Sequence, residues 1–151
     1  MKAIFSITIV LCAILISGCG GVNEKSPTAK KIEQVVRREA GMIFTMKTMT
    51  DFQWDRLFVF HPYESRRGIH EAIGIDFLKD DEIPDIVEER DCFLVFVKEG
   101  RVVEYFTYPR FKGDFEPLSE KTGGFSPEEA ILEVVSRDNG RWKLIKSVGE
   151  N

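Results

Sequence analysis

The side chains able to do covalent or metal chemistry are few, and their spacing decides what they can do. His61 and His70 are the only histidines, nine residues apart across an expected turn, and Cys12, Cys19 and Cys92 are the only thiols. A metal site needs convergent donors at short spacing, and the chain has no HExxH, no paired CxxC and no calcium-loop pattern. No metal is expected. Ser65 and His70 lack an identifiable third partner, and neither a Gly-x-Ser-x-Gly elbow nor a phosphate-cradling loop is present. The residues call for no cofactor and give no support to an enzyme.

Two groups suit binding better. Arg66 and Arg67 fall in the first turn of an expected helix, where cations oppose the helix dipole, so together with free backbone N–H groups they could hold an anion or an acidic partner segment. Alternatively Glu64, Glu71 or a nearby acidic loop neutralises them. The stretch Tyr108-Pro109-Arg110-Phe111-Lys112-Gly113-Asp114-Phe115 sets aromatics among basic residues. Arg110, Phe111 and Phe115 are the residue types that anchor protein interfaces. The alternative tucks Phe111 and Phe115 back as a lid over a sheet.

The cysteines separate by position. Ala3 to Ile16 is an apolar run of 14 residues after Lys2, too short to cross a hydrocarbon core that needs about 20 helical residues, and the right length for a signal peptide. Leu15-Ile16-Ser17-Gly18-Cys19 follows. This box resembles that of bacterial lipoproteins, which implies cleavage between Gly18 and Cys19 and thioether attachment of a diacylglycerol, palmitate-type chains included, to Cys19. Two or three acyl chains, at about 0.8 kcal/mol per buried methylene, hold such a protein on its membrane. Gly20, where inner-membrane lipoproteins commonly carry aspartate, favours the outer membrane if the cell has two. The remaining thiol, Cys92, begins an apolar strand and reads as a buried, inert side chain.

The chain has 151 residues, 43% hydrophobic and 30% charged, with a net charge of -4. Loss of residues 1–18 removes one charge, Lys2, and leaves 133 residues with 20 basic against 25 acidic side chains, or -5. That acidity argues against nucleic acid as a partner, and the size argues for one domain. Residues 19–26 have linker composition, with a reach of about 25 Å over the seven residues from Gly20. Residues 27–151 should then form the globular domain.

Ser26-Pro27 reads as a cap with proline at the first helical position, and Ala29, Ile32, Val36 and Ala40 share one face of a helix stopped by Gly41. Ile43 to Thr50 alternates and reads as a strand, with a helix through Met42, Met46 and Met49 as the competing reading. Trp54 to Phe60 is the strongest strand, and a hairpin between these two is expected. A short helix should run from about Ser65 to Ile73, and seven acidic residues within 79–91 read as a solvated loop. Cys92–Val97 and Arg101–Tyr108 form a hairpin turning at Glu99-Gly100; Ile131–Arg137 and Arg141–Lys146 form another around Asp138-Asn139-Gly140. Ser126-Pro127-Glu128-Glu129 carries helix-start signals, but strands are preferred there. The order predicts an α+β domain: an antiparallel sheet of five to six strands with two short helices packed on one face.

The segment from Phe52 through Trp54-Asp55-Arg56 to Phe60-His61-Pro62-Tyr63 resembles one in small, mostly uncharacterised bacterial lipoproteins. That likeness covers about a dozen residues and implies no activity. The expected function is therefore a membrane-anchored, non-catalytic lipoprotein of the bacterial cell envelope, binding a protein or another envelope component. An immunity-type lipoprotein that neutralises an envelope-acting toxin, or a small lipid or ligand carrier, are the alternatives.

Overall fold

The computed structural model describes residues 26–75 and 86–148. The apolar run, the Leu15–Cys19 box, most of the tether and much of the expected acidic loop lie outside them. Ser26 caps helix α1 (Pro27–Val36), its hydroxyl accepting from the Ala29 N–H at 3.3 Å. The same hydroxyl donates to Glu104 at 2.6 Å, and Thr28 donates to the other carboxylate oxygen at 2.8 Å. The start of the helix is thus fixed to the sheet, and Ala29, Ile32 and Val36 enter the core.

The expectation of an α+β mix holds, but the strands form two three-stranded antiparallel sheets instead of one sheet of five or six. Strands β2 (Arg56–Phe60), β3 (Asp91–Lys98) and β4 (Arg101–Pro109) make one sheet in that order. Strands β1 (Ile43–Thr45), β5 (Ile131–Arg137) and β6 (Trp142–Ser147) make the other, with β5 central. The expected hairpin between the first two strands does not form. Phe44 pairs with Leu132 instead, while Phe58 pairs with Val95.

The physical reason lies in β2 and β3. Leu57, Phe58, Val59 and Phe60 are all buried, as is every residue from Asp91 to Val97, so this sheet needs cover on both faces. A short threonine-rich neighbour could not give it. On one face Leu57, Val59, Cys92, Leu94, Phe96, Phe106 and Tyr108 join α1 and the inner residues of the second sheet, Phe44, Leu132, Val134 and Ile145. On the other, Phe58, Phe60, Phe93, Val95 and Val97 pack with Ile69 of helix α3 (Arg66–Ile73) and with Val87. The helices therefore cover opposite faces of the β2–β3–β4 sheet, not one face as expected.

Between β1 and β2 the chain compromises between strand and helix. The strand ends at Thr45 and a single turn, α2 (Met46–Met49), follows, with Met46 buried. Its start is tied across the fold by the Met46 N–H donating to the Ala130 carbonyl at 3.0 Å. The β3–β4 hairpin turns at Glu99 and Gly100, both with positive φ (48° and 71°), as its two-residue loop requires. Asp55 clamps that turn by accepting from the Glu99 N–H at 2.6 Å and from Lys98 at 3.3 Å. The Glu99 hydrogen bond is also the largest influence holding the Asp55 carboxyl below its usual range. Trp54 is buried with its indole N–H on Thr50 at 3.1 Å, so the Trp-Asp-Arg segment serves the fold.

Candidate functional site

The loop after β4 is held from below by a buried carboxylate. Asp114 is 2% exposed, and its backbone joins β6 on both sides: its N–H donates to the Lys143 carbonyl, and the Ile145 N–H donates to its own carbonyl, each at 2.8 Å. Its side chain accepts from Arg110 Nε at 3.0 Å and Nη2 at 2.8 Å, from the Glu116 N–H at 3.0 Å and from the Trp142 indole at 3.4 Å. Such a two-point guanidinium–carboxylate pair fixes orientation as well as proximity. Arg110 also donates to the Glu89 carbonyl at 3.2 Å and contacts the Glu116 carboxylate, so its charge is neutralised within the fold.

This bracing holds Phe111 outward. Arg110–Lys112 is one turn of 3-10 helix, and Phe111 at its centre is 70% exposed, the largest value among the described large hydrophobic residues. Lys112 reaches back to Glu33 of α1 at 3.1 Å, and Lys143 donates to the carbonyl of Val36. Lys112 thus ties the turn to α1 at Glu33, and Lys143 ties β6 to the end of the same helix. Phe111 and half-buried Trp142 line a groove of about 560 Å³ with Glu88, Glu89, Arg90 and Arg110. Tyr63, 62% exposed, stands beside it and is hydrogen-bonded to Glu89. Desolvation, and then the Glu89 carboxylate, push the Tyr63 hydroxyl above its usual pKa, so it stays a protonated donor.

A second groove, of about 850 Å³, continues past Arg110 and Trp142 to His61, Glu120, Val135, Arg137, Leu144 and Lys146. It follows the outer face of the β1–β5–β6 sheet. Trp142, Leu144 and Lys146 share this face because they alternate along β6 with Lys143 and buried Ile145.

Of the residues singled out in the sequence, Arg110 and Phe111 come together here, the first as the brace and the second as the exposed ring. Phe115 does not join them at the surface; it is fully buried with its ring 5.2 Å from that of Tyr108. Within one loop, Phe111 is exposed and Phe115 forms part of the cover over the core. Arg66 and Arg67 stand apart on α3 and line neither groove. Arg67 pairs with Glu71 at 2.7 Å, Arg66 also has an interaction partner, and the Gly68 N–H is taken by Ser65 at 3.0 Å. For Arg67, the pair with Glu71 is the local neutralisation weighed above.

Tyr63, Trp142 and the Glu88-Glu89-Arg90 run were not singled out for binding. Trp142 could have been noticed, since period two in Trp142-Lys143-Leu144-Ile145 puts Trp142 opposite Ile145. Which of the two faces is buried, however, depends on which core the strand meets. Among the described residues no group of three or more His, Cys, Asp or Glu side chains could hold a metal ion, and no helix is long and apolar enough to cross a membrane. Cys92 is buried with its sulfur 3.7 Å from Asp114, and burial first, then that carboxylate, push its thiol far above the usual value. No protein-family model, curated protein or solved structure matches this chain.

Proposed function

We propose that this chain is a lipid-anchored protein of the bacterial cell envelope, non-catalytic, which binds an envelope component through the Phe111–Trp142 patch. The anchor reading rests on the sequence: a 14-residue apolar run after Lys2 and the box Leu15-Ile16-Ser17-Gly18-Cys19. It makes Cys19 the lipidated residue and residues 20–26 the tether. Gly20 favours the outer membrane in a cell with two.

The observation that carries the binding reading is Phe111 at 70% exposure on a loop braced by the Arg110–Asp114 pair. Exposing a phenyl ring leaves unrealised the roughly 1.5–3 kcal/mol that its burial would supply. A mobile loop could hide the ring; this one is hydrogen-bonded to α1, β6 and the 88–90 segment. A rigid aromatic beside a half-buried tryptophan is the arrangement that gives affinity at low ordering cost.

The test is recovery of envelope material with the acylated protein, compared among wild type, Cys19→Ala and Phe111→Ala. Loss with Phe111→Ala while fatty-acid labelling persists supports the patch. Equal recovery by wild type and Phe111→Ala rejects it. Fatty-acid label entering the Cys19→Ala form rejects the anchor.

A further inference from the structure

The charges around Phe111 do not cancel. Arg110 is shared by two carboxylates, Asp114 and Glu116, and Arg90 lies 2.9 Å from Glu88. Glu89, exposed on the groove wall, meets the Tyr63 hydroxyl. Four carboxylates therefore stand around two guanidiniums, an excess of two negative charges. Lys112, whose Nζ lies 6.0 Å from the centre of the Phe111 ring, is paired with Glu33 at 3.1 Å and adds no net charge. An acidic peptide, an anionic membrane surface or a nucleic acid would have to compete with these carboxylates for the two guanidiniums.

Three aromatic rings accompany the carboxylates. Phe111 is 70% exposed and Trp142 half-buried, and both line the groove. Tyr63 is 62% exposed and has a φ of 69°, a left-handed conformation that is unfavourable for an aromatic residue. The 86–90 segment holds it there: the Tyr63 N–H donates to the Val87 carbonyl at 2.8 Å, and the Val87 N–H donates to the Glu64 carbonyl at 3.0 Å. Backbone strain thus keeps a water-exposed ring against Glu89, where the core gains nothing from it. Strain of this kind gathers where a ligand is held.

Ring faces and carboxylates together attract a cation. A lysine or arginine side chain gains from a ring face within about 6 Å, lays its apolar stem along the same ring and donates to carboxylate lone pairs. A quaternary ammonium has no N–H to donate, so the carboxylates favour a protonated amine or a guanidinium. Phe111 stands out from its loop instead of walling a closed cavity, the shape of an anchor that enters a protein surface. Past Trp142 the longer groove carries Arg137 and Lys146 as well as Glu120. The acidic stretch is therefore local and suits a short basic segment, not a long polycation. We infer that the Phe111–Trp142 groove receives a lysine or arginine side chain from such a segment of a protein partner, its cation against Glu89 and its stem on Phe111. This deepens the patch reading above and rests on it.

The deciding experiment installs p-benzoylphenylalanine in place of Phe111 in the full lipidated protein, irradiates its own cells and maps the attachment point on the captured molecule. The same label in place of Val103, exposed on β4, is the control. Two charge variants accompany it. Glu89→Gln removes the charge but keeps an acceptor for Tyr63, and Glu99→Gln removes one charge at the opposite end of β3. The expected adduct is a polypeptide joined at a segment of net positive charge, with a yield several-fold above that from Val103, cut several-fold by Glu89→Gln and unchanged by Glu99→Gln. Attachment to a neutral or acidic segment, attachment to anything other than polypeptide, or a yield that ignores Glu89→Gln or falls equally with Glu99→Gln would overturn the basic-segment inference and leave the docking patch standing. A yield no higher than at Val103 would overturn both.

Discussion

The guanidinium of Arg110 meets the carboxylate of Asp114, a residue only 2% exposed, in two hydrogen bonds of 3.0 and 2.8 Å. Asp114 is at once a backbone partner of β6, the acceptor for the Trp142 indole and the base on which the Phe111 turn stands. One side chain therefore links the second sheet to the exposed patch.

Removing one partner of such a pair strands the other. Asp114→Ala should cost about 3 kcal/mol, the lower end for buried pairs because Arg110 keeps some access to water. Urea unfolding followed by circular dichroism measures it. Arg110→Lys should be milder in stability yet still loosen the turn, since an ammonium cannot reproduce two parallel bonds. A wild-type midpoint for Asp114→Ala would refute this account of the loop.

Glu129 sets part of the acid limb of stability. Its carboxyl is pushed down to about 2 from an ordinary 4.5, first by the Ser126 N–H, then by Lys121. A carboxyl lowered by folding contributes stability that is complete above its ordinary value and lost as pH falls through the folded one. The window is thus about pH 4.5 down to 2. Glu129→Gln should flatten the pH dependence of the unfolding midpoint there, modestly because the group is exposed. An unchanged slope would count against it.

The stretch from Ser126 to Glu129 shows what was legible in the sequence. Ser126 and Glu129 form the reciprocal bonds of a capping box, with Ser126 N–H to Glu129 at 2.8 Å and Glu129 N–H to the Ser126 hydroxyl at 3.3 Å. The helix they announce never grows, because the Ala130 carbonyl is taken by Met46 and Leu132 and Val134 alternate into the core. Local signals located α1, α3 and both hairpins. They could not say that β1 joins β5, a pairing between residues about ninety apart, nor that Phe111 faces outward while Phe115 is buried.

Gly124 has a positive φ of 69°, and a Cβ there would lie 2.6 Å from the Leu57 carbonyl oxygen. That carbonyl accepts the Phe125 N–H at 2.8 Å, and the Leu57 N–H donates back at 2.9 Å. Gly124→Ala should therefore lose about 2 kcal/mol or more through backbone strain and displacement of this bridge. Thermal unfolding checks it, and a melting point within error of wild type would contradict it.

In the processed, acylated protein Cys92 should be the sole free thiol. Native protein should take up no thiol reagent at mildly alkaline pH, and unfolded protein should take up one equivalent. Two equivalents after unfolding would mean that Cys19 carries no thioether.

The most direct measurement of the central claim is saturable co-sedimentation of a lipid-free form beginning at Gly20 with purified envelopes, with and without Phe111→Ala. Removing the lipid separates patch binding from membrane partition. The expected result is saturable binding by the wild-type domain, weakened about tenfold or more by Phe111→Ala, as befits a central anchor. Equal binding by the two forms, or none by either, would contradict it.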